Sequence, residues 1–407
     1  MADRKAVLIG GGITGVLAGR ELALAGWEVT VLEAEHVGAG SSSRTAAGIR
    51  QQFSTPGTVR GMRYSVEFYR RFRDETEDGQ SPIVQNGYLF LYDDDARWAD
   101  AKARCAMQQQ NGLVEVEALE GDALFERFPW VSREGAIGGT HCPTDGFLLP
   151  HLVYNEGARR VRELGGQVLQ SAGVTAGVTV GGRLVAVDTP KGRFEADVFF
   201  DCTNAWSRRL SRLLGCEELP VDPLKRYLWF LGREGPMTAG TLSTMPLTIL
   251  PSGLYFRPEN RDTLMMGKKH ETPPQVDFTY DDQDHIEPAF SHKGGIEAVP
   301  FELWMELAEA VPDVAAFAGV QATTCGYYAT TPDHNPFLGY DRALGGLIRL
   351  VGHSGHGAMM GPFTARVAAA LAEAGEDIDS VDIDGAPVDL ACFAIGRESD
   401  HSEQMVI

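Results

Sequence analysis

Apolar and polar positions along this chain fall into runs that predict alternating strands and helices. Ala6-Val7-Leu8-Ile9 is a short apolar run that reads as a buried strand. The stretch after it places Gly15, Ala18 and Leu22 on one helical face, and Glu28 to Leu32 reads as a second strand. Further on, helical spacing runs from about Val59 to Phe72 and from Leu152 to Leu164, with the polar stretch Asp74 to Pro82 as a break. Gly87 to Tyr92 and Gly253 to Arg257 alternate with a period of two and read as antiparallel strands, whereas Arg183 to Val187 and Val198-Phe199-Phe200 resume the first pattern. The last such strand, Leu347 to Val351, leads through a glycine-rich turn into an Ala-rich helix ending near Ala374. No repeat or low-complexity segment interrupts the order. The pattern predicts an α/β domain assembled from residues 1–85, 145–215 and 325–395. Interleaved with it is a mostly antiparallel β domain from 86–144 and 216–324, and 396–407 is a tail.

Between the first strand and helix stands Gly10-Gly11-Gly12-Ile13-Thr14-Gly15, and Glu33 follows the second strand. In that setting Gly10 permits a tight turn, Gly12 lets backbone approach a pyrophosphate, and Gly15 lets the helix pack close. The acid can accept hydrogen bonds from a ribose. The strand, glycines, helix and acid falling in register distinguish this cradle from a chance triplet among 47 glycines.

Composition narrows the class. A chain of 407 residues, 43% hydrophobic, can bury a large core. A formal charge of −20 argues against nucleic acid or an anionic membrane as partner. Six cysteines without a CxxC pair fit reduced thiols in the cytoplasm and supply no metal-ligand spacing. The apolar start, with Ala23-Leu24-Ala25, mimics a secretion signal, but Arg20 and Glu21 interrupt it and its glycines belong to the cradle. No apolar run is long enough to span a membrane. Far down the chain, Gly352-His353-Ser354-Gly355-His356-Gly357 opens the last helix, where backbone N–H groups favour negative charge. Pro362 fits there if it lies in the first turn. A reduced flavin gathers such charge on its pyrimidine side and a nicotinamide does not, so this second helix start favours FAD over NAD.

Seven segments then carry a resemblance: the cradle with Glu33, GAGSSSR at 38–44, DGFLLP at 145–150, EADVFFDCTNAWS at 195–207, GLYFRP at 253–258, YYATTPDHNPFLG at 327–339, and SGHG at 354–357. Together they resemble the D-amino-acid oxidase-like flavoproteins, in the branch of sarcosine oxidase and dimethylglycine dehydrogenase, over almost the whole chain. The resemblance implies a Rossmann-like, glutathione-reductase-type FAD domain beside a β substrate domain. It places the adenosine on Gly10, Gly12, Gly15 and Glu33, the ribityl and pyrophosphate by Gly40, Ser41 and Ser42, and the pyrimidine by Ser354, Gly355, His356 and Gly357. It also implies cofactor contacts from Ile13, Thr14, Ala34, Thr45, Ala46 and Ala47. Further contacts come from Val174, Cys202, Thr203, Trp206, Gly326, Ala358 and Met359.

Arg50 matches the family arginine that grips a substrate carboxylate, with a surface ion pair as the alternative. Tyr255 and Tyr328 match aromatic positions facing flavin and substrate, against core or rim. His353 faces substrate or is a satisfied structural histidine. Some members attach FAD through a cysteine near the position of Cys325. Here that cysteine falls one place early, which favours non-covalent FAD and leaves Cys325 as a buried small residue. Two family lysines are replaced, by Met359 and Met265, with Lys268 and Lys269 close enough in sequence to compensate. The implied activity is hydride transfer to flavin from a sarcosine-, dimethylglycine- or proline-like amine or amino acid, the imine then hydrolysing, with oxygen or another carrier as acceptor. D-Amino-acid or 2-hydroxy-acid oxidation is the alternative chemistry, and a flavin-bearing scaffold the alternative class. A homo-oligomer or partner subunit is left open.

Overall fold

The computed structural model describes residues 4–233, 239–398 and 402–405. The apolar runs meet in a six-stranded sheet, ordered Phe337–Tyr340, Leu347–Val351, Val198–Asp201, Lys5–Ile9, Glu28–Leu32 and Gln167–Leu169. All its pairings are parallel except the outermost, Phe337–Tyr340 on Leu347–Val351. Strands buried on both faces need continuous apolar sequence, which is why Ala6 to Ile9 and Val198 to Phe200 show no alternation. The helix Ile13–Leu24 covers one face. It packs against Pro150–Glu163 and against the last helix, Gly357–Ala374, with Gly157 and Gly361 clearing room for Val16 and Ile13.

The alternating runs build an eight-stranded sheet, ordered Phe317–Thr330, Asp222–Arg233, Thr263–Gly267, Tyr255–Pro258, Leu247–Ile249, Tyr88–Tyr92, Gly138–Cys142 and Glu117–Glu120. It is antiparallel except where Leu247–Ile249 runs parallel to Tyr88–Tyr92. Side chains alternate between its faces. Leu89, Leu91, Trp229, Phe256, Met266 and Cys325 join one core, while Tyr88, Phe90, Leu228, Tyr255 and Met265 join another. The strands of the two sheets interleave along the chain, so a mixed α/β fold stands beside an antiparallel sheet.

Three local expectations change. The helix read from Val59 begins at Pro56, because Thr55 caps it by accepting from the Thr58 N–H at 3.3 Å and proline needs no partner in a first turn. The strand containing Arg183 to Val187 leaves the parallel sheet and forms a separate antiparallel one, Ala176–Val180, Arg183–Thr189 and Gly192–Glu195. Pro362 lies beyond the first turn of Gly357–Ala374, where its missing N–H frees the Ala358 carbonyl. The buried Tyr69 hydroxyl donates to that oxygen at 2.6 Å. Tyr69→Phe strands a buried acceptor, and urea denaturation is expected to show a loss of about 1–3 kcal/mol.

Candidate active site

The glycine turn opens onto a cavity of about 350 Å³. Gly10 holds φ +112°, and a Cβ on Gly15 would stand 1.9 Å from the Gly10 carbonyl oxygen. Only glycine lets the turn close on the helix in this way. A Cβ on Gly12 would fill the space beside Ser42 Oγ, which accepts from the Ile13 N–H at 3.1 Å. Glu33 is buried and receives the N–H groups of Gly11 at 2.7 Å and Glu35 at 2.9 Å. Burial pushes its carboxyl up, and these N–H groups oppose the shift. Across the cavity Trp206 stacks on Tyr280 at 5.2 Å, with its indole Nε1 buried and unpartnered.

Of the residues expected at the cofactor, Ile13, Thr14, Ala34 and Val174 join Gly10, Gly12 and Glu33 at this cavity. So do Gly40, Ser41, Ser42, Thr45, Cys202 and Thr203, with Trp206, Gly355, Gly357 and Ala358. Gly15 stands behind the wall as packing. Gly326 also misses the lining, because its Cα packs on Arg44 and a Cβ there would lie 2.7 Å from the arginine Cβ. Sequence reading missed Asn204, Arg209, Tyr280 and Tyr327. Asn204 carried a legible signal, since its neighbours Thr203 and Trp206 were singled out. Its Oδ1 accepts from the Gly352 N–H at 3.0 Å and so braces the turn before the last helix.

A smaller pocket shares Thr45, Tyr328 and Gly355 with this cavity and brings together Arg50, Tyr255, Ala46, Ala47, His356 and Met359. Arg50 is 0% exposed. Its guanidinium lies 4.2 Å over the ring of Phe53, with Phe90 and Tyr88 at 5.5 and 5.9 Å. Among the described residues its polar contacts are neutral: Nη1 donates to the Gln52 carbonyl at 2.8 Å, Nη2 faces His356 Nε2 at 3.2 Å and the Met405 carbonyl, and Nε has no partner. Burial and the Arg50 charge hold His356 well below the ordinary histidine range, so its Nε2 accepts. Tyr255 and Tyr328 are hydrogen-bonded to each other, and burial raises both phenols. Two glycines make room for them, since a Cβ on Gly267 or Gly355 would lie 2.4 Å from the Tyr255 or Tyr328 ring.

The segment 402–405 was not foreseen at this site. The Glu403 carboxylate accepts from Ser54 N–H at 3.0 Å, Ser54 Oγ at 2.7 Å and Met405 N–H at 2.9 Å, which presents the Met405 carbonyl to Arg50.

His353 stands apart from both pockets. Its ring nitrogens meet Asn204 Oδ1 at 3.3 Å and Thr364 Oγ1 at 3.1 Å, and burial lowers its pKa to about 4. Both ring nitrogens thus meet partners within the fold, and of its two expected places the geometry fits that of a satisfied structural histidine. Cys325 points to the core of Tyr227 and Trp229, the sheet face opposite Tyr255, and its thiol donates to the Gln283 carbonyl at 2.8 Å. Lys268 pairs with Glu306 at 2.9 Å and does not reach the pocket. Met265 is fully buried in the cluster of Tyr255 and Leu247, and Lys269 lines a neighbouring chamber that shares Tyr328 and Ser354 with this pocket.

No helix among the described residues is long and apolar enough to cross a membrane. Residues 5–371 match the family model described as FAD dependent oxidoreductase (DAO). FAD-dependent oxidoreductase domain-containing protein 1 of Bos taurus is 26% identical over 415 residues, 90% of this chain and 80% of that protein. Mitochondrial sarcosine dehydrogenase of Mus musculus is 24% identical over 376 residues, 87% of this chain and 38% of that protein. The solved L-proline dehydrogenase from P. horikoshii matches with a TM-score of 0.80 at 27% identity, covering 92% of this chain and 94% of its own. The cradle that only glycine permits, the unpartnered indole nitrogen and the match over nearly the whole chain agree: this protein belongs to the FAD dependent oxidoreductase family, and FAD is its cofactor.

Proposed function

We propose that this protein oxidises the C–N bond of a secondary or tertiary amine bearing a carboxylate, of the kind named in its relatives sarcosine dehydrogenase and L-proline dehydrogenase. One observation carries the reading: Arg50 is a fully buried guanidinium whose polar partners among the described residues are all neutral, beside a hydrogen-bonded tyrosine pair and next to the cofactor cavity. A buried cation without a counter-ion is costly unless an anion completes it, and a carboxylate matches its fork.

The glycine turn, Glu33 and the wall of Trp206 and Ser42 would hold FAD without a covalent bond, Cys325 being turned away. Bound FAD supplies a two-electron acceptor. Arg50 orients the substrate by its carboxylate, while Tyr255 and Tyr328 enclose the amine. The Met405 carbonyl shares Nη2, so the carboxylate competes with the 402–405 segment for that edge. Among the pocket's described titratable groups, His356 is held neutral by burial and by the Arg50 charge, and the phenols of Tyr88, Tyr255 and Tyr328 are held protonated by burial. None is poised to remove a carbon-bound proton. The pocket therefore acts by desolvation, which favours the neutral amine and frees its lone pair to expel the α-hydrogen with its electrons. The imine or iminium product hydrolyses in water to a carbonyl compound and a smaller amine, or, from a cyclic substrate, to one ring-opened amino carbonyl compound.

Anaerobic mixing of the holoenzyme with a donor panel tests this reading. N-methyl and cyclic amino acids are expected to bleach the oxidised flavin absorbance. Bleaching by 2-hydroxy acids or primary D-amino acids alone would overturn the amine assignment.

A further inference from the structure

Behind Tyr328 lies a second chamber of about 150 Å³ that the mechanism leaves unused. Tyr328 and Ser354 line both this chamber and the Arg50 pocket. Its charged centre is Arg226, on the strand Asp222–Arg233 with Leu224, which lines the same chamber. Arg226 is 7% exposed, and its guanidinium lies 5.6 Å from the Tyr328 ring. Nη1 is tied to the Lys225 carbonyl at 3.1 Å, the His270 carbonyl at 3.1 Å and Thr272 Oγ1 at 3.3 Å. Nε is buried without a partner, so the edge formed by Nε and Nη2 is not used by these bonds. That edge is the one that takes a carboxylate side-on through two parallel hydrogen bonds.

The surroundings fit an anion. Lys269 stands on the lining, and Glu271 is the one carboxylate among the described residues there. His334 also lines the chamber, with φ +63° and a buried Nδ1 that has no partner. A left-handed backbone at a histidine is strained and persists where its surroundings fix it. Tyr328 thus stands between two buried guanidinium groups, both close enough to act on its phenol, and with Ser354 it forms the wall that the two pockets share.

We propose that the chamber of Arg226 and His334 binds a second carboxylate of the substrate, so that the preferred amine is a dicarboxylate, one carboxylate on Arg50 and the other on Arg226. This rests on the amine reading and narrows it to amines whose nitrogen substituent or side chain ends in an acid.

The test compares N-methylglycine with N-(carboxymethyl)glycine, and acetate with glutarate, on the FAD-loaded enzyme. Kd is read from perturbation of the flavin spectrum and, independently, from the shift in melting temperature. The dicarboxylates are expected to bind about 10- to 100-fold tighter than their monocarboxylate partners. Arg226→Met is expected to reduce that ratio to about one, and Arg226→Lys, which keeps the charge without the fork, to leave part of it. Equal binding of mono- and dicarboxylates to the unaltered enzyme would overturn the proposal, as would an undiminished ratio in folded Arg226→Met. If Arg226→Met fails to fold, the ratio in Arg226→Lys decides: an unchanged ratio counts against the fork, a reduced one for it. Bleaching by monocarboxylate amines without any gain from a second acid overturns this inference alone, whereas no bleaching by any amine overturns the amine reading itself.

Discussion

Arg50→Met is expected to lower kcat/KM for an N-alkyl amino acid by about 10²- to 10³-fold, because it removes one partner of a desolvated charge pair. Methionine keeps much of the arginine's length and apolar contact with Phe53, so the loss reports the charge and the fork. The effect should fall chiefly on KM, with a smaller decrease in kcat from poorer alignment. Steady-state kinetics and carboxylate titration of the same variant check this together. A variant with unchanged KM would leave Arg50 as a structural cation shared by Gln52, His356 and Met405.

Gly15→Val is expected to purify without flavin absorbance. The added Cβ would lie 1.9 Å from the Gly10 carbonyl oxygen, which belongs to backbone and cannot swing aside. Relief requires the turn and helix to separate, and that displaces the N–H groups aimed into the cavity. The matched control is Gly57→Ala in the first turn of Pro56–Phe72, where the nearest atom to a new Cβ is 3.5 Å away. That control should retain full FAD content. A flavin-to-protein ratio in Gly15→Val equal to that of the control would remove the glycine turn from the binding site.

The parts of the site legible in the sequence are those written locally. A strand, its glycine turn, the helix behind it and the acid after the next strand lie within residues 5–33, so spacing alone gives their geometry. The last strand and helix are equally local, and the period-two run from Gly253 to Arg257 marks the strand that carries Tyr255. What escaped depends on distant pairings. The Met405 carbonyl meets Arg50 while Glu403 holds Ser54, some 350 positions away in the chain, and no periodicity announces either contact. Tyr69 completes a carbonyl exposed by Pro362 in another helix. His353 sits in a motif rich in functional neighbours, yet its ring turns into the fold to meet Asn204 and Thr364. Lys268 is near the lost family lysine in sequence, but Glu306 on the helix Val299–Ala310 holds it elsewhere. Arg226 reads in the sequence as one of many arginines on a strand. Burial and the unused edge of its guanidinium give it meaning.

The most direct measurement is an anaerobic titration of the FAD-loaded protein with the best N-substituted amino acid of the donor panel and with its carboxamide, followed by flavin absorbance. The acid is expected to bleach the flavin with one equivalent of substrate per flavin, and the uncharged amide to leave it oxidised. Equal bleaching by both would contradict a substrate carboxylate held on Arg50.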